Sequence, residues 1–163
     1  MAVTPRKLTN FASITKYFRE LQNYVSKTGR LVSATASTLT VTEALHENKT
    51  VLIDRAAGVA VTLPAATGSG ARYRFVVKTS MSGGNTTITR AGSDVMKGFA
   101  HLTADDATAL GGFSTTSATV ITLDGSTRGG YAGDVVELED IASAVWAVRV
   151  LGRATGSEAT PFS

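Results

Sequence analysis

The stretch that decides the fold is Arg72–Thr79, RYRFVVKT. Successive side chains of a strand point to opposite faces, so Tyr73, Phe75 and Val77 fall on one side while Arg72, Arg74 and Lys78 fall on the other. This period of two is the mark of a strand with one buried face. The Gly83–Gly84 pair and the run Thr86–Arg90 follow, and together they predict a hairpin. Upstream, Thr50–Arg55 and Val59–Leu63 are short β runs around a turn at Ala57–Gly58. Pro64 cannot donate to a ladder and ends the second run, leaving Ala65–Gly70 as a loop of small residues. Downstream, Thr119–Leu123 is a strand closed by Asp124–Gly125. Asp134–Glu139 (DVVELE) and Ala144–Leu151 (AVWAVRVL) form a final pair, with Trp146 the main core anchor. Asp94–Ser117 reads as less regular with a loop at Gly111–Gly112, and the tail Gly152–Ser163 as polar and irregular. Short strands with turns at near-regular intervals predict a mainly β body of about eight antiparallel strands, a β-sandwich or barrel. No exact internal repeat is visible.

The first 30 residues are of a different kind. Arg6, Lys7, Lys16, Arg19, Lys27 and Arg30 stand against the single acid Glu20, a net charge of +5, whereas the rest of the chain carries −2. Phe11, Ile14, Phe18, Leu21 and Val25 are spaced three and four apart, which places them on one stripe of a helix. Lys16, Arg19, Glu20, Asn23 and Lys27 fall off that stripe. Asn10 or Ser13 suits the start and Gly29 the end. The expected organisation is a helical arm over 1–30, a linker and first strand over 31–49, and the β body over 50–163. The apolar stripe can pack on its own domain, on sister chains or on another protein, and two heptads are too short to define a coiled coil.

Composition narrows the chemistry. At 163 residues with 43% hydrophobic content, the chain is long enough for one real core. Cysteine is absent, which excludes disulfides, thiolate zinc sites and cysteine nucleophiles. No run approaches the apolar length of a membrane-spanning helix, and Met1–Asn10 has no apolar signal segment, so the expectation is a chain made in a cytoplasm. His46 and His101 stand in none of the zinc-binding spacings and are expected in loops or on the surface. Asp105–Asp106 fits a loop or a helix N-cap. Gly68-Ser-Gly70 leads into a strand, not a helix, so it lacks the context of a phosphate-binding fingerprint. No cofactor and no catalytic residue is expected. The basic face of the arm suits water or an acidic protein surface better than nucleic acid, because the stripe beside it is fully apolar.

Four stretches carry a resemblance: VLIDRAAGVAVTLPAATGSGARYRFVV (Val51–Val77), TITRAGSDVMKG (Thr87–Gly98), LDGSTRGGYAGDVVELEDIASAVWAVRV (Leu123–Val150) and ATPFS (Ala159–Ser163). In these the chain resembles small β-rich structural proteins of tailed bacteriophages, the head decoration or cement proteins. The resemblance spans roughly residues 50–163. It implies a virion protein on the outside of the capsid, often a homotrimer, with the major capsid protein as partner and no catalytic residues. Residues 1–49 lie outside it. The arm is therefore assigned from its own chemistry, with the stripe Phe11, Ile14, Phe18, Leu21 and Val25 as the cohesive surface. Arg6, Lys7, Arg19 and Lys27 supply contacts at its rim. A phage fibre or tail-tip module binding a host glycan is the alternative, favoured if Tyr73, Tyr131 and Trp146 were exposed together.

Overall fold

The computed structural model describes residues 14–21, 29–104 and 110–163, and the chain divides into two compact units, Met1–Arg30 and Leu31–Ser163. In the first unit, residues 14–21 form helix α1.

The second unit is mainly β. Its elements run β1 (Leu31–Ala34), β2 (Thr38–Thr40), α2 (Glu43–His46), β3 (Thr50–Ile53), β4 (Ala60–Thr62), β5 (Arg72–Val77), β6 (Thr86–Thr89), β7 (Val95–Thr103), β8 (Leu110–Ala118), β9 (Val120–Leu123), β10 (Val135–Ala142) and β11 (Val145–Arg153). They make a seven-stranded sheet, β1-β3-β5-β10-β11-β7-β8, and a four-stranded sheet, β2-β4-β6-β9. Both sheets contribute to one buried cluster, with Val61, Ile88 and Ile121 from the smaller and Phe75, Leu138, Trp146 and Val150 from the larger. Trp146 is 1% exposed, and its ring lies 5.7 Å from that of Tyr73.

The first six strands alternate between the sheets and wind as a coil. β1, β3 and β5 lie parallel in the larger sheet, and β2, β4 and β6 lie parallel in the smaller one. The winding corrects the predicted hairpin, since β5 and β6 belong to different sheets. Gly84 is there for close approach. A Cβ on it would overlap the carbonyl of Ala57, and one on Gly58 would overlap the carbonyl of Asn85. The corner after β3 and the corner after β5 therefore stack backbone on backbone, joined by Ser82 N donating to Ala56 O at 3.0 Å.

The expectation of about eight antiparallel strands is likewise corrected to eleven strands among the described residues, in sheets of mixed direction. The extra strands lie where the sequence gives weak signals. β1 and β2 are only four and three residues long and contain Ser33, Thr38 and Thr40, and they lie with α2 within residues 31–49. β7 and β8 pair antiparallel across the region that reads as irregular, because Gly98 and a register shift between Met96 and Gly98 interrupt its alternation. β10 and β11 pair antiparallel as predicted, and β11 continues parallel onto β7. The tail also has a structural task. Thr122 N donates to Pro161 O at 2.8 Å and Ser163 N to Val120 O at 3.0 Å, so the last residues cover the outer edge of β9 and bury Phe162. Covered edges of this kind block pairing with foreign strands.

Candidate docking surfaces

The buried carboxylates of the body are occupied by its own backbone. Asp140, on β10, accepts from the amides of Thr67 (2.9 Å), Gly68 (2.7 Å) and Ser69 (3.0 Å), and from the hydroxyls of Thr67 and Ser69. Burial alone would raise its pKa. The amides of Thr67, Ser69 and Gly68 and the Ser69 hydroxyl outweigh burial and hold it at about 2. Asp94 accepts from Ala66 N at 2.7 Å and from the Trp146 indole at 3.4 Å. The loop of TLPAATGSG is thus pinned at Ala66 by one aspartate and over Thr67–Ser69 by another. Asp134 accepts from Gly130 N (2.8 Å), Tyr131 N (3.0 Å) and Arg153 N (3.2 Å). There burial prevails over those amides and raises the pKa. Asp124 folds the next turn by accepting from Ser126 N and Arg128 N.

The expected placement of the histidines holds for one of them. His101 is exposed on β7, but His46 is buried. Its Nδ1 accepts from Thr42 N at 3.0 Å, which ties the last residue of α2 back to the residue before its first. Asp105–Asp106 lies outside the described residues. Among the described residues no group of His, Asp or Glu is placed to hold a metal, and no helix is long and apolar enough to cross a membrane.

Among the described residues, two exposed surfaces are candidates for docking. The first is the arm. Ile14 and Leu21 are half-buried on α1, Phe18 is 59% exposed and Arg19 is exposed. Tyr17 and Phe18 meet edge to face at 6.5 Å between centroids. Of the other predicted arm residues, Phe11, Val25, Arg6, Lys7 and Lys27 lie outside the described residues.

The second surface is the outer face of the seven-stranded sheet, of which the sequence alone shows only a basic row on one strand, Arg72, Arg74 and Lys78. Register assembles that row into a pattern across the sheet. Thr50, Arg74, Glu137, Arg149 and Phe99 stand side by side on β3, β5, β10, β11 and β7. Next to them runs an apolar row, Leu52, Val76, Val135 and Leu151. On the other side Arg72, Glu139, Ala147 and Lys97 align. Arg72 pairs with Glu139 at 2.9 Å, while Arg74 (3.6 Å) and Arg149 (3.4 Å) share Glu137. The Arg149 guanidinium lies 5.7 Å from the centre of the Phe99 ring, within the range of a cation–π contact. A groove of about 650 Å³ lies on this face, and Ala147 and Gly98 are the small residues of its lining.

The aromatic residues named for glycan binding do not form a platform. Tyr73 and Trp146 are buried, and Tyr131 is half-buried with the Arg153 guanidinium 5.2 Å from its ring centre. Burial, with the charges of Glu43, Glu47 and Asp140, pushes the Tyr73 phenol up to about 12. Compared with protein-family models, with curated proteins and with solved structures, the chain matches none of them.

Proposed function

We propose that this chain is a non-enzymatic decoration, or cement, protein of a tailed-bacteriophage head. It sits on the outside of the capsid as a homotrimer and stabilises contacts between capsid subunits. The observation that carries the reading is what the resembling stretches do in the fold. Asp140 of LEDIAS holds the loop of TLPAATGSG, Asp94 of AGSDVMKG holds the same loop at Ala66, and ATPFS covers the edge of β9. These stretches build a frame of pinned loops around a wound core, which suits a clamp that must stay rigid under a stretching lattice.

The remaining outward features suit attachment. A clamp that touches several subunits through an arm and a sheet face gains from the effective concentration of the second contact once the first is made. The exposed Phe18 supplies an apolar anchor, and the cations of the arm favour an acidic capsid surface. The fibre or tail-tip alternative has less support, because two of the three candidate sugar-stacking residues, Tyr73 and Trp146, are inside the core.

Deleting residues 1–30 tests the assignment of the arm. The expected result is a body that keeps its melting temperature within a few degrees while its binding to expanded capsids falls at least about tenfold, the equivalent of roughly 1.4 kcal/mol. Sedimentation with purified capsids measures the binding and light scattering the trimer. Trimerisation and capsid binding both persisting undiminished would overturn the role given to the arm.

A further inference from the structure

The groove on the seven-stranded sheet has a charge opposite to that of the body around it. Its lining carries five cations, Lys49, Arg72, Arg74, Lys97 and Arg149, against Glu137 and Glu139. The part of the chain after Arg30 is net acidic, so this concentration of positive charge is a local feature of one face. The cations are also undersupplied with partners. Two guanidiniums share the carboxylate of Glu137, and Lys97 has no ion pair or side-chain hydrogen bond among the described residues. All the pairs that do exist are well exposed, with side chains 41% to 68% accessible where Arg72 meets Glu139. Exposed pairs of this sort contribute little to stability, so an incoming carboxylate can take over a guanidinium at small cost.

Shape and apolar surface point the same way. Ala147 stands between Glu139 and Lys97 in its row, and Gly98 precedes Phe99. The groove is lined here by Ala147 and Gly98 together with Lys97, Arg149 and Phe99. Phe99 is 47% exposed, unusual for a phenylalanine on a strand of this sheet, and the apolar row ending at Leu151 runs alongside.

We infer that this groove docks an acidic, extended segment of the major capsid protein. Lys97 and Arg149 receive its carboxylates, and Phe99 packs against an intervening apolar side chain. The source of the segment rests on the decoration reading; its acidic chemistry rests on the groove alone. A peptide fits better than a nucleic acid because Glu137 and Glu139 stand on β10, the strand between the cations of β5 and those of β11 and β7. A strand of phosphates would meet those carboxylates, whereas a peptide sets acids at alternate positions about 6.6–6.8 Å apart and can leave a neutral side chain opposite them.

The test uses the full chain and two probes. The first is a fluorescein-labelled twelve-residue peptide of alternating Glu and Val, read by anisotropy, with a double-stranded DNA oligomer as competitor. The second is expanded capsids freed of DNA, read by co-sedimentation. Lys97→Glu/Arg149→Glu is expected to weaken peptide binding at least about tenfold and capsid binding in parallel, with the wild-type affinity falling as salt rises. Lys97→Gln alone, which removes no ion pair or side-chain hydrogen bond among the described residues, gives a smaller loss in the same direction and guards against misfolding of the double variant. Equal peptide binding by wild type and variants, no binding by wild type, or displacement of the peptide by the DNA oligomer at lower concentration would each overturn the groove assignment. Capsid binding that is unchanged in both variants would overturn it while leaving the decoration reading in place. Charge-sensitive peptide binding without any capsid binding would sink the decoration reading and, with it, the capsid source of the segment.

Discussion

Asp140→Ala is expected to lower the stability of the β body by about 3–5 kcal/mol, the range seen when a buried network loses its central acceptor. The side chain accepts from three backbone amides and two hydroxyls of the Thr67–Ser69 loop, and it is 1% exposed. Alanine would leave those donors facing a void, and each unsatisfied buried donor costs roughly 1–3 kcal/mol. For a domain of this size the loss corresponds to a fall of about 10–15 °C in Tm, at a few degrees per kcal/mol. Asp140→Asn keeps one acceptor oxygen but turns an amide donor toward the loop, so it should fall between wild type and alanine.

The same residue sets an acid dependence. The loop donors outweigh burial and hold the folded pKa at about 2, below the ordinary value of 3.8. A group depressed in the folded state stabilises above its unfolded pKa, and that contribution is lost as pH falls through the folded value. Thermal melts of wild type and Asp140→Asn should therefore be furthest apart near neutral pH and converge between about pH 4 and pH 2. Asp134 contributes in the opposite sense. Burial raises its folded pKa, so its neutral form is favoured in the fold and its contribution declines as pH rises through the folded value. A wild-type acid transition that tracks Asp140→Asn at every pH would show that the loop donors do not depend on the charge.

Gly58→Ala is the second large effect, with an expected loss of about 2–4 kcal/mol. Gly58 has φ of +76°, and a Cβ there would overlap the carbonyl of Asn85 in the next corner of the coil. Gly70 provides a matched control, because its φ is also +76° and nothing lies within 4 Å of its Cβ position. Gly70→Ala should cost only the left-handed backbone strain, about 1–2 kcal/mol. The difference between the two variants in a denaturant titration measures the stacking of successive coil corners. Equal losses would mean that the corners separate freely and that close approach is not what glycine provides at position 58.

Much of the body can be read locally. The alternation in RYRFVVKT puts Tyr73, Phe75 and Val77 inside and Arg72 and Arg74 outside, as found. The antiparallel pairing of β10 with β11 and the burial of Trp146 follow from runs with the same clear period. The path of the chain does not. TLT, AVT and TIT at the centres of β2, β4 and β6 stack in register, but three-residue repeats separated by corners of unequal length leave no periodic trace. Gly83–Gly84 carries the composition of a hairpin turn, and only the position of the preceding corner shows that Gly84 serves close packing, while Gly83 faces open space. The charged outer face of the larger sheet is half legible for a related reason. Arg72, Arg74 and Lys78 could be placed on one face of one strand, whereas Phe99, Ala147, Arg149, Glu137 and Glu139 join them only through pairings between residues far apart in the chain.

The sequence by itself determined the β character of the body, the buried side of its clearest strands, the separate basic segment before Leu31 and the absence of thiol chemistry. These depend on side-chain period and composition, which act over a few neighbouring residues. The tertiary structure alone decided that the strands wind in parallel, which aspartates hold which loops, and where charge gathers on the larger sheet. Each of these is a pairing between distant segments, and its register is chosen by the whole core at once, since one residue of slip would turn every inward side chain to water.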